Sequence, residues 1–355
     1  MTVLMLIEDI LKPELRALSC PNHRPYPPGA IRLDLNESPF PPSPKVIRAV
    51  VEACYEANRY PIEAELELES KIAEYVGLES SNIVIGNGSD CLIHAVMDAT
   101  IRPGDTILMP FPSFQVFAIA VTRNGGNVKY VRLKPDKFKL PPDVVIDEAR
   151  NCKAIVIVNP NNPTGNMVMS PNEVEEILSS FNGLVIVDEA YYEYSRVTVV
   201  NLVSDFDNLV VLRTFSKAFC MAGLRVGYAV TSKVMARVLR KVRHEFPVST
   251  VSLRAAIAAL DDLEYMRRIV SYIERERKKL YNELKAISGV TPFPSCTNFI
   301  LFKASRRDLA RLLAKRNIFI RDFSKCMDGN YFRVSIGRSD ENRIFLKTLR
   351  EILES

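Results

Sequence analysis

Residues 209–225 read LVVLRTFSKAFCMAGLR. The opening apolar run, Leu209 to Leu212, has the character of a buried strand, and the small and polar residues after it turn the chain at the strand's end. Lys217 in that turn is either an ordinary surface charge or a nucleophilic amine held at the mouth of a sheet. The stretch alone does not separate the two, because isolated motif matches are often accidental. The decision rests on what the neighbouring strands deliver to the same place.

Two upstream stretches have the same layout. Residues 154–165, AIVIVNPNNPTG, run from a continuous apolar strand into a rigid asparagine- and proline-rich turn, and residues 183–194, GLVIVDEAYYEY, run from Leu184–Val187 straight into Asp188 and Glu189. Ile83–Ile85 is followed by GNGSD and an apolar helix, and Thr106–Met109 by PFPSF. Apolar on both faces and separated by helical stretches, these strands predict an α/β fold built on a mostly parallel, doubly wound sheet. Ligands of such sheets bind at the carboxyl ends of strands. Val226–Val230 reads as an antiparallel edge strand.

Each strand end carries a candidate with a structural alternative beside it. Gly88, Ser89 and Asp90 could cradle a phosphate on the free amides of a helix start, or merely cap that helix. Phe114 could lie flat on a planar group or pack in the core. Asn162 is one of three asparagines in a turn that does not need so many. Asp188 and Glu189 need a cation near the core, either a structural arginine or a cationic ligand group, with Tyr191 as a second polar contact. Ser216, Lys217 and Arg225 complete the set.

The flanks differ from this centre. Residues 1–45 form an arm with proline-rich turns, in which IRLDLNES alternates like a strand; Tyr26 and Asn36 either cap turns or reach a ligand. Tyr60, fixed on a corner before Pro61, is displayed to a ligand or partner chain, or simply packs. Residues 46–245 are expected to be the large domain and 246–355 a smaller α+β domain, opening with a long basic helix. Arg321 and Arg333 sit inside or at the ends of apolar strands, where arginine needs an anion: an internal salt bridge or a ligand.

Composition narrows the function. With 355 residues, 47% hydrophobic and 25% charged, the chain can bury a large core. A net charge of +5 without basic runs interleaved with aromatics does not point to nucleic acid. Seven scattered cysteines without a CxxC pair argue against a disulfide framework or a metal site and for a reducing, cytoplasmic home. No basic leader and no membrane-length apolar run are present.

Together, a phosphate cradle, an aromatic platform, an asparagine, a carboxylate, a tyrosine, a lysine and an arginine are what pyridoxal 5'-phosphate requires. The carboxylate would keep the pyridine nitrogen protonated and the lysine would hold the aldehyde as a Schiff base. NPNNPTG, DEAYYE and TFSKAFCMAGLR, in this order, resemble the fold-type I aminotransferases. RPYPPG, LNESPFPP, NRYP, IFIRD and FRVSIGRSDEN are similar, within that superfamily, to the histidinol-phosphate aminotransferases. The resemblance implies Lys217 as the Schiff-base lysine, Asp188 as partner of the pyridine nitrogen, and Asn162 and Tyr191 as donors to the phenolic oxygen. It implies Gly88, Ser89, Asp90, Ser216 and Arg225 around the phosphate. Phe114 stands where many relatives have tyrosine, which keeps stacking and loses a hydroxyl. Arg333 matches the arginine that clamps the amino-acid carboxylate; Tyr26, Asn36 and Arg321 would bind substrate, with a second phosphate near Arg321. Tyr60 would reach the neighbouring active site of a homodimer. The implied reaction passes an amino group between L-histidinol phosphate and 2-oxoglutarate. A threonine-phosphate decarboxylase or a broad-specificity aromatic aminotransferase on the same scaffold are the rival enzymes, and a non-catalytic cofactor-binding module, disfavoured by the presence of Lys217, is the rival of another class.

Overall fold

The computed structural model describes residues 11–18 and 25–354; the apolar N-terminal stretch 1–10 and Cys20 lie outside the described residues. The strands, in chain order, are β1 (Ile31–Leu33), β2 (Ile83–Asn87), β3 (Thr106–Phe111), β4 (Asn127–Arg132), β5 (Ala154–Val158), β6 (Leu184–Asp188), β7 (Leu209–Thr214), β8 (Val226–Thr231), β9 (Val290–Pro292), β10 (Phe299–Ala304), β11 (Ile318–Asp322) and β12 (Tyr331–Ser335). They form a seven-stranded sheet in the order β2-β8-β7-β6-β5-β3-β4 and a five-stranded sheet in the order β1-β11-β12-β10-β9. The α/β class and the mostly parallel sheet are as the sequence predicts.

Every residue of β5, β6 and β7 is buried, because helices cover both faces of the sheet. Alternation along the strands splits the apolar side chains between two cores. Val156, Ile186 and Val210 face one, with the helices Gly88–Thr100, Val116–Arg123 and Lys233–Val242. Ile157, Val187 and Val211 face the other, which continues into the C-terminal part of the chain.

One strand is placed differently from its sequence reading. β8 is antiparallel, as expected, but it lies inside the sheet between β2 and β7, not at an edge, and all six of its residues are buried. An apolar run without polar alternation shows that both faces are covered, not how many neighbours a strand pairs with: β2, buried over four of its five residues, is an edge, while β8 pairs on both sides. Since β8 runs against both β2 and β7, the two reversals cancel. β2 therefore points the same way as β3, β5, β6 and β7, and all five release their chains at one rim of the sheet.

The arm joins the second sheet. β1 runs parallel to β11, with Ile31 opposite Ile318, so residues 34–37 emerge beside the rim of the large sheet. The helix Thr250–Leu260 packs on the helices Pro44–Ala53 and Ile62–Val76, so packing crosses the division at 245/246 that the sequence suggests. No described helix is long and apolar enough to cross a membrane.

Candidate active site

At the end of β2 the chain turns through Gly88 (φ 72°) into the helix Gly88–Thr100. The left-handed φ favours glycine, and a Cβ there would lie 2.4 Å from Arg225 Nη2 and push the guanidinium out of its place. The Gly88 amide donates to the Arg225 carbonyl (2.9 Å), which leaves the first-turn amides of Ser89 and Asp90 for an anion. The Arg225 guanidinium donates to Ser216 Oγ (3.3 Å) and Asp90 Oδ2 (3.0 Å), tying the ends of β2 and β7 into one polar cradle. Residues 88–90, 216 and 225 are thus together, as the sequence reading requires of a phosphate site.

The two carboxylates after β6 have separate roles. Glu189 Oε2 accepts from Arg213 Nε (2.9 Å) and Nη2 (2.8 Å) and from the Thr198 hydroxyl, while Oε1 accepts from the Val199 amide (2.7 Å). This is the structural arginine partner that one reading of the motif anticipates. Asp188, only 3 % exposed, has no such cation: among the described residues it forms no ion pair, and its Oδ1 accepts from the Ala190 amide (3.0 Å). Burial pushes its pKa up to about 7 against the pull of that amide. A buried carboxyl without a countercharge is a place for a cationic ligand atom such as a pyridinium N–H.

Lys217 follows β7, the neighbour of β6, and is half-buried. Its Nζ donates to the Leu35 carbonyl of the arm (3.3 Å) and lies 5.9 Å from the centre of the Tyr191 ring. Burial, and after it the charge of Arg333, pulls its pKa down to about 8, so a substantial share is neutral amine near physiological pH. Tyr191 is buried against Phe299, ring centres 5.2 Å apart, and its hydroxyl accepts from Asn36 Nδ2 (2.9 Å).

The asparagines of NPNNPTG divide in the same way as the carboxylates. Asn159 is used by the turn, accepting from the Val168 amide and donating to the Met169 carbonyl. Asn161 is used as well, accepting from Ser113 and donating to Pro112 and Thr164. Asn162 alone faces the cleft, its Oδ1 accepting from Arg333 Nη1, which leaves Nδ2 available as a donor. Phe114 is half-buried in the turn after β3, edge-on to Phe117 with ring centres 6.5 Å apart.

Arg333 comes from the other sheet. It is 6 % exposed, donates through Nη2 to the Asp34 carbonyl, and has a buried Nε with no partner. Burial lowers its pKa to about 10. Arg321 lies opposite it across β11 and β12 and is exposed. Among the described residues neither arginine forms an ion pair, so the internal salt bridge is not their explanation. Tyr26 donates to both Asp34 oxygens (2.8 and 3.0 Å) and packs edge-on to Phe319. Asn36 is 1 % exposed and fully engaged with protein groups. Tyr60 is set apart: 73 % exposed, it stacks on Phe246 with ring centres 4.5 Å apart.

Three contributors are absent from the sequence reading. Ser335 stands two residues after Arg333 on β12, on the same face, and that period-two relation was the available signal. Asn298, fully buried just before β10, donates to the Asn36 carbonyl (3.0 Å). The carbonyl of Leu35 was not legible, since main-chain acceptors carry no sequence signature.

The donor set suits pyridoxal phosphate: an anion cradle, an acid without a countercharge and an amine of lowered pKa converge from adjacent strands of one sheet. The profile of the family described as aminotransferase class I and II matches residues 28–349. A histidinol-phosphate aminotransferase of Archaeoglobus fulgidus is 37% identical over 324 residues, covering 91% of this chain and 99% of that protein. The one from Ruminiclostridium cellulolyticum is 34% identical over 355 residues, covering 98% and 99%. Among solved structures, the histidinol-phosphate aminotransferase of Sinorhizobium meliloti in complex with pyridoxal-5'-phosphate superposes with a TM-score of 0.87 at 25% identity, covering 97% of this chain and 98% of that one. The chain belongs to the class I and II aminotransferases and, among them, to the histidinol-phosphate aminotransferase family.

Proposed function

We propose that the protein catalyses the pyridoxal-phosphate-dependent transfer of an amino group between L-histidinol phosphate and 2-oxoglutarate, giving imidazole acetol phosphate and L-glutamate. The observation that carries this reading is the pair of arginines, Arg333 and Arg321, adjacent on β12 and β11 without an acid partner among the described residues. A buried guanidinium left unpaired is costly, and a ligand carboxylate or phosphate offsets that cost through its bidentate geometry. Arg333 then takes the carboxylate of the glutamate substrate, and Arg321 takes the phosphate of the amine substrate, with Tyr26 and Asn36 shaping the arm side of the pocket.

The cofactor, when bound, supplies an electron sink that lets the substrate Cα release its proton. Gly88, Ser89, Asp90, Ser216 and Arg225 hold its phosphate, and Phe114 stacks on its ring. Asp188 holds a proton on its ring nitrogen, while Asn162 and Tyr191 donate to its phenolic oxygen. Lys217 is the amine that would hold its aldehyde, and when the substrate amine takes that place Lys217 would carry the proton to and from substrate Cα as a general base and acid. A pKa near 8 suits that task, because the amine must both accept and return a proton near neutral pH.

We place the arm in residues 1–45, the large cofactor-binding domain in 46–245 and the small domain in 246–355, and the site in the cytoplasm. A homodimer is supported by an exposed apolar patch of Ile47, Val51, Tyr55, Tyr60, Ile62 and Leu66 on adjoining elements. Tyr60 belongs to that patch and, across the two-fold, reaches the cofactor phosphate of the neighbouring site.

The test is a half-reaction screen. Cofactor-loaded protein is given histidinol phosphate, threonine phosphate or phenylalanine, and pyridoxamine phosphate and carbon dioxide are measured. Histidinol phosphate should convert the cofactor without carbon dioxide, and Arg321→Ala should impair it far more than it impairs phenylalanine. Carbon dioxide from threonine phosphate, or equal losses on both amines, overturns the substrate assignment.

A further inference from the structure

Asn36 holds a left-handed backbone conformation, φ 54°, without being glycine. Such a conformation persists where surrounding bonds fix it. Here Ser335 Oγ accepts from the Asn36 amide (3.0 Å) and donates to Asn36 Oδ1 (3.2 Å), and Asn298 Nδ2 donates to the Asn36 carbonyl (3.0 Å). Ser335 is 2 % exposed and Asn298 fully buried, so these bonds have no competition from solvent. The one direction left for Asn36 Nδ2 is the Tyr191 hydroxyl, 2.9 Å away.

We propose that Ser335 and Asn36 are a positioning relay that sets the direction of the Tyr191 hydroxyl proton. A hydroxyl hydrogen rotates to suit its neighbours. Because Ser335 occupies Asn36 Oδ1, position 36 presents an N–H, and the Tyr191 oxygen must accept from it. The hydroxyl's own proton is therefore turned away from the arm and into the cleft, where it serves as a donor. The relay also joins the parts of the molecule: Ser335 lies on β12 of the second sheet, Asn36 on the arm, and Tyr191 after β6 of the large sheet. The charged groups around the phenol are Arg333, Asp188, Asp90 and Lys217, none of which hydrogen-bonds its oxygen among the described residues. Asn36 is thereby a positioning residue rather than a substrate contact, as is Ser335.

This inference rests on the reading of Tyr191 as a donor to the cofactor's phenolic oxygen, and the experiment separates the two. The pH midpoint of the cofactor's visible absorption is measured in holoenzyme without substrate. A donor to the anionic oxygen lowers that midpoint, so Tyr191→Phe should raise it by about 1 pH unit, the size of one hydrogen bond. Asn36→Gly keeps the left-handed backbone but deletes the amide, and should reproduce at least half of that shift. Asn36→Asp, which offers only an acceptor, should also raise the midpoint by drawing the proton toward itself. Ser335→Ala should raise it and Ser335→Thr should not, and in a Tyr191→Phe background none of these changes should add a further shift. If Tyr191→Phe leaves the midpoint unmoved, the donor reading of Tyr191 fails and the relay with it. If Tyr191→Phe raises it while Asn36→Gly and Ser335→Ala raise only KM, the relay is wrong and Asn36 is a substrate contact.

Discussion

Replacing Asp188 with asparagine should stabilise the cofactor-free protein, and only above acid pH. The side chain keeps its shape and can still accept from the Ala190 amide, so the change is essentially the removal of a charge that burial opposes. Asp188 has a folded pKa near 7 against an ordinary 3.8. The folded chain thus holds the extra proton: the destabilisation is absent below the lower value and complete above the higher one. A difference of about three units corresponds to about 4 kcal/mol when fully expressed. Between pH 5 and pH 8 the part that develops is about 2 to 3 kcal/mol. Urea unfolding of the cofactor-free wild type and Asp188→Asn at these two pH values measures it, since titrations common to both chains cancel. Asp188→Asn should gain on the wild type by that amount at pH 8 relative to pH 5. Added pyridoxal phosphate should then stabilise the wild type more than the variant, because only the carboxylate acquires a countercharge. A stability difference that is the same at pH 5 and pH 8 refutes the view that Asp188 is buried unpaired.

Covalent uptake of the cofactor by the cofactor-free chain should rise about tenfold per pH unit below about 8 and level off above it, since the neutral Lys217 amine is the reactive form. Arg333→Met should move that midpoint upward by removing a charge that depresses it, and a rate flat from pH 6 to 9 would overturn the assignment. Arg213→Met should destabilise the fold by about 3–5 kcal/mol in urea, because it leaves Glu189 buried and unpaired; a loss under 1 kcal/mol contradicts a structural role for that pair. Mixing Tyr60→Ala and Lys217→Ala chains should restore roughly a quarter of the wild-type activity, one intact site in each hybrid dimer. No recovery on mixing removes Tyr60 from the neighbouring site.

The centre of the large sheet was legible because strands covered on both faces are written as unbroken apolar runs. The same property hid the place of β8, since composition reports whether a strand's faces are covered and not whether it pairs on one side or two: β2, buried over Ile83–Gly86, is an edge, and β8, buried throughout, is not. β4, a true edge, was not singled out: with Lys129, Tyr130 and Arg132 exposed, its composition is that of an edge kept from pairing further. Within the site, the residue pattern alone made the types legible, while the individual assignments of Asp188 and Asn162 came from the family resemblance. Asp188 and Glu189 are adjacent and chemically alike, yet strand alternation turns them to different sides, and Arg213 on β7 is within reach of Glu189 alone. Which of three asparagines faces the cleft likewise depends on the path of the turn. Arm contacts such as Leu35 with Lys217 span 182 positions, a separation across which local pattern carries no information.

Several charges of the scaffold and of the cleft differ in how they are tethered. In the scaffold, several buried charges meet charges: Glu189 with Arg213, Glu65 with Arg243, Glu69 with Arg240. In the cleft, Arg225 pairs with Asp90 in the phosphate cradle, but three charges meet only dipoles: Asp188 the Ala190 amide, Lys217 the Leu35 carbonyl, Arg333 the Asn162 and Asp34 oxygens. A dipole fixes the direction of a side chain without cancelling its charge, so the cost of its desolvation persists in the empty protein. Asp188 and Arg333 belong to different sheets and form no ion pair with each other, so neither relieves the other. What relieves both is a ligand pair with a protonated ring nitrogen at one end and an anionic group at the other, and a cofactor joined to an amino-acid substrate has those two ends. Binding energy is then available from groups already in place, and a site whose charges do not have to reorganise stabilises charge as it develops during reaction.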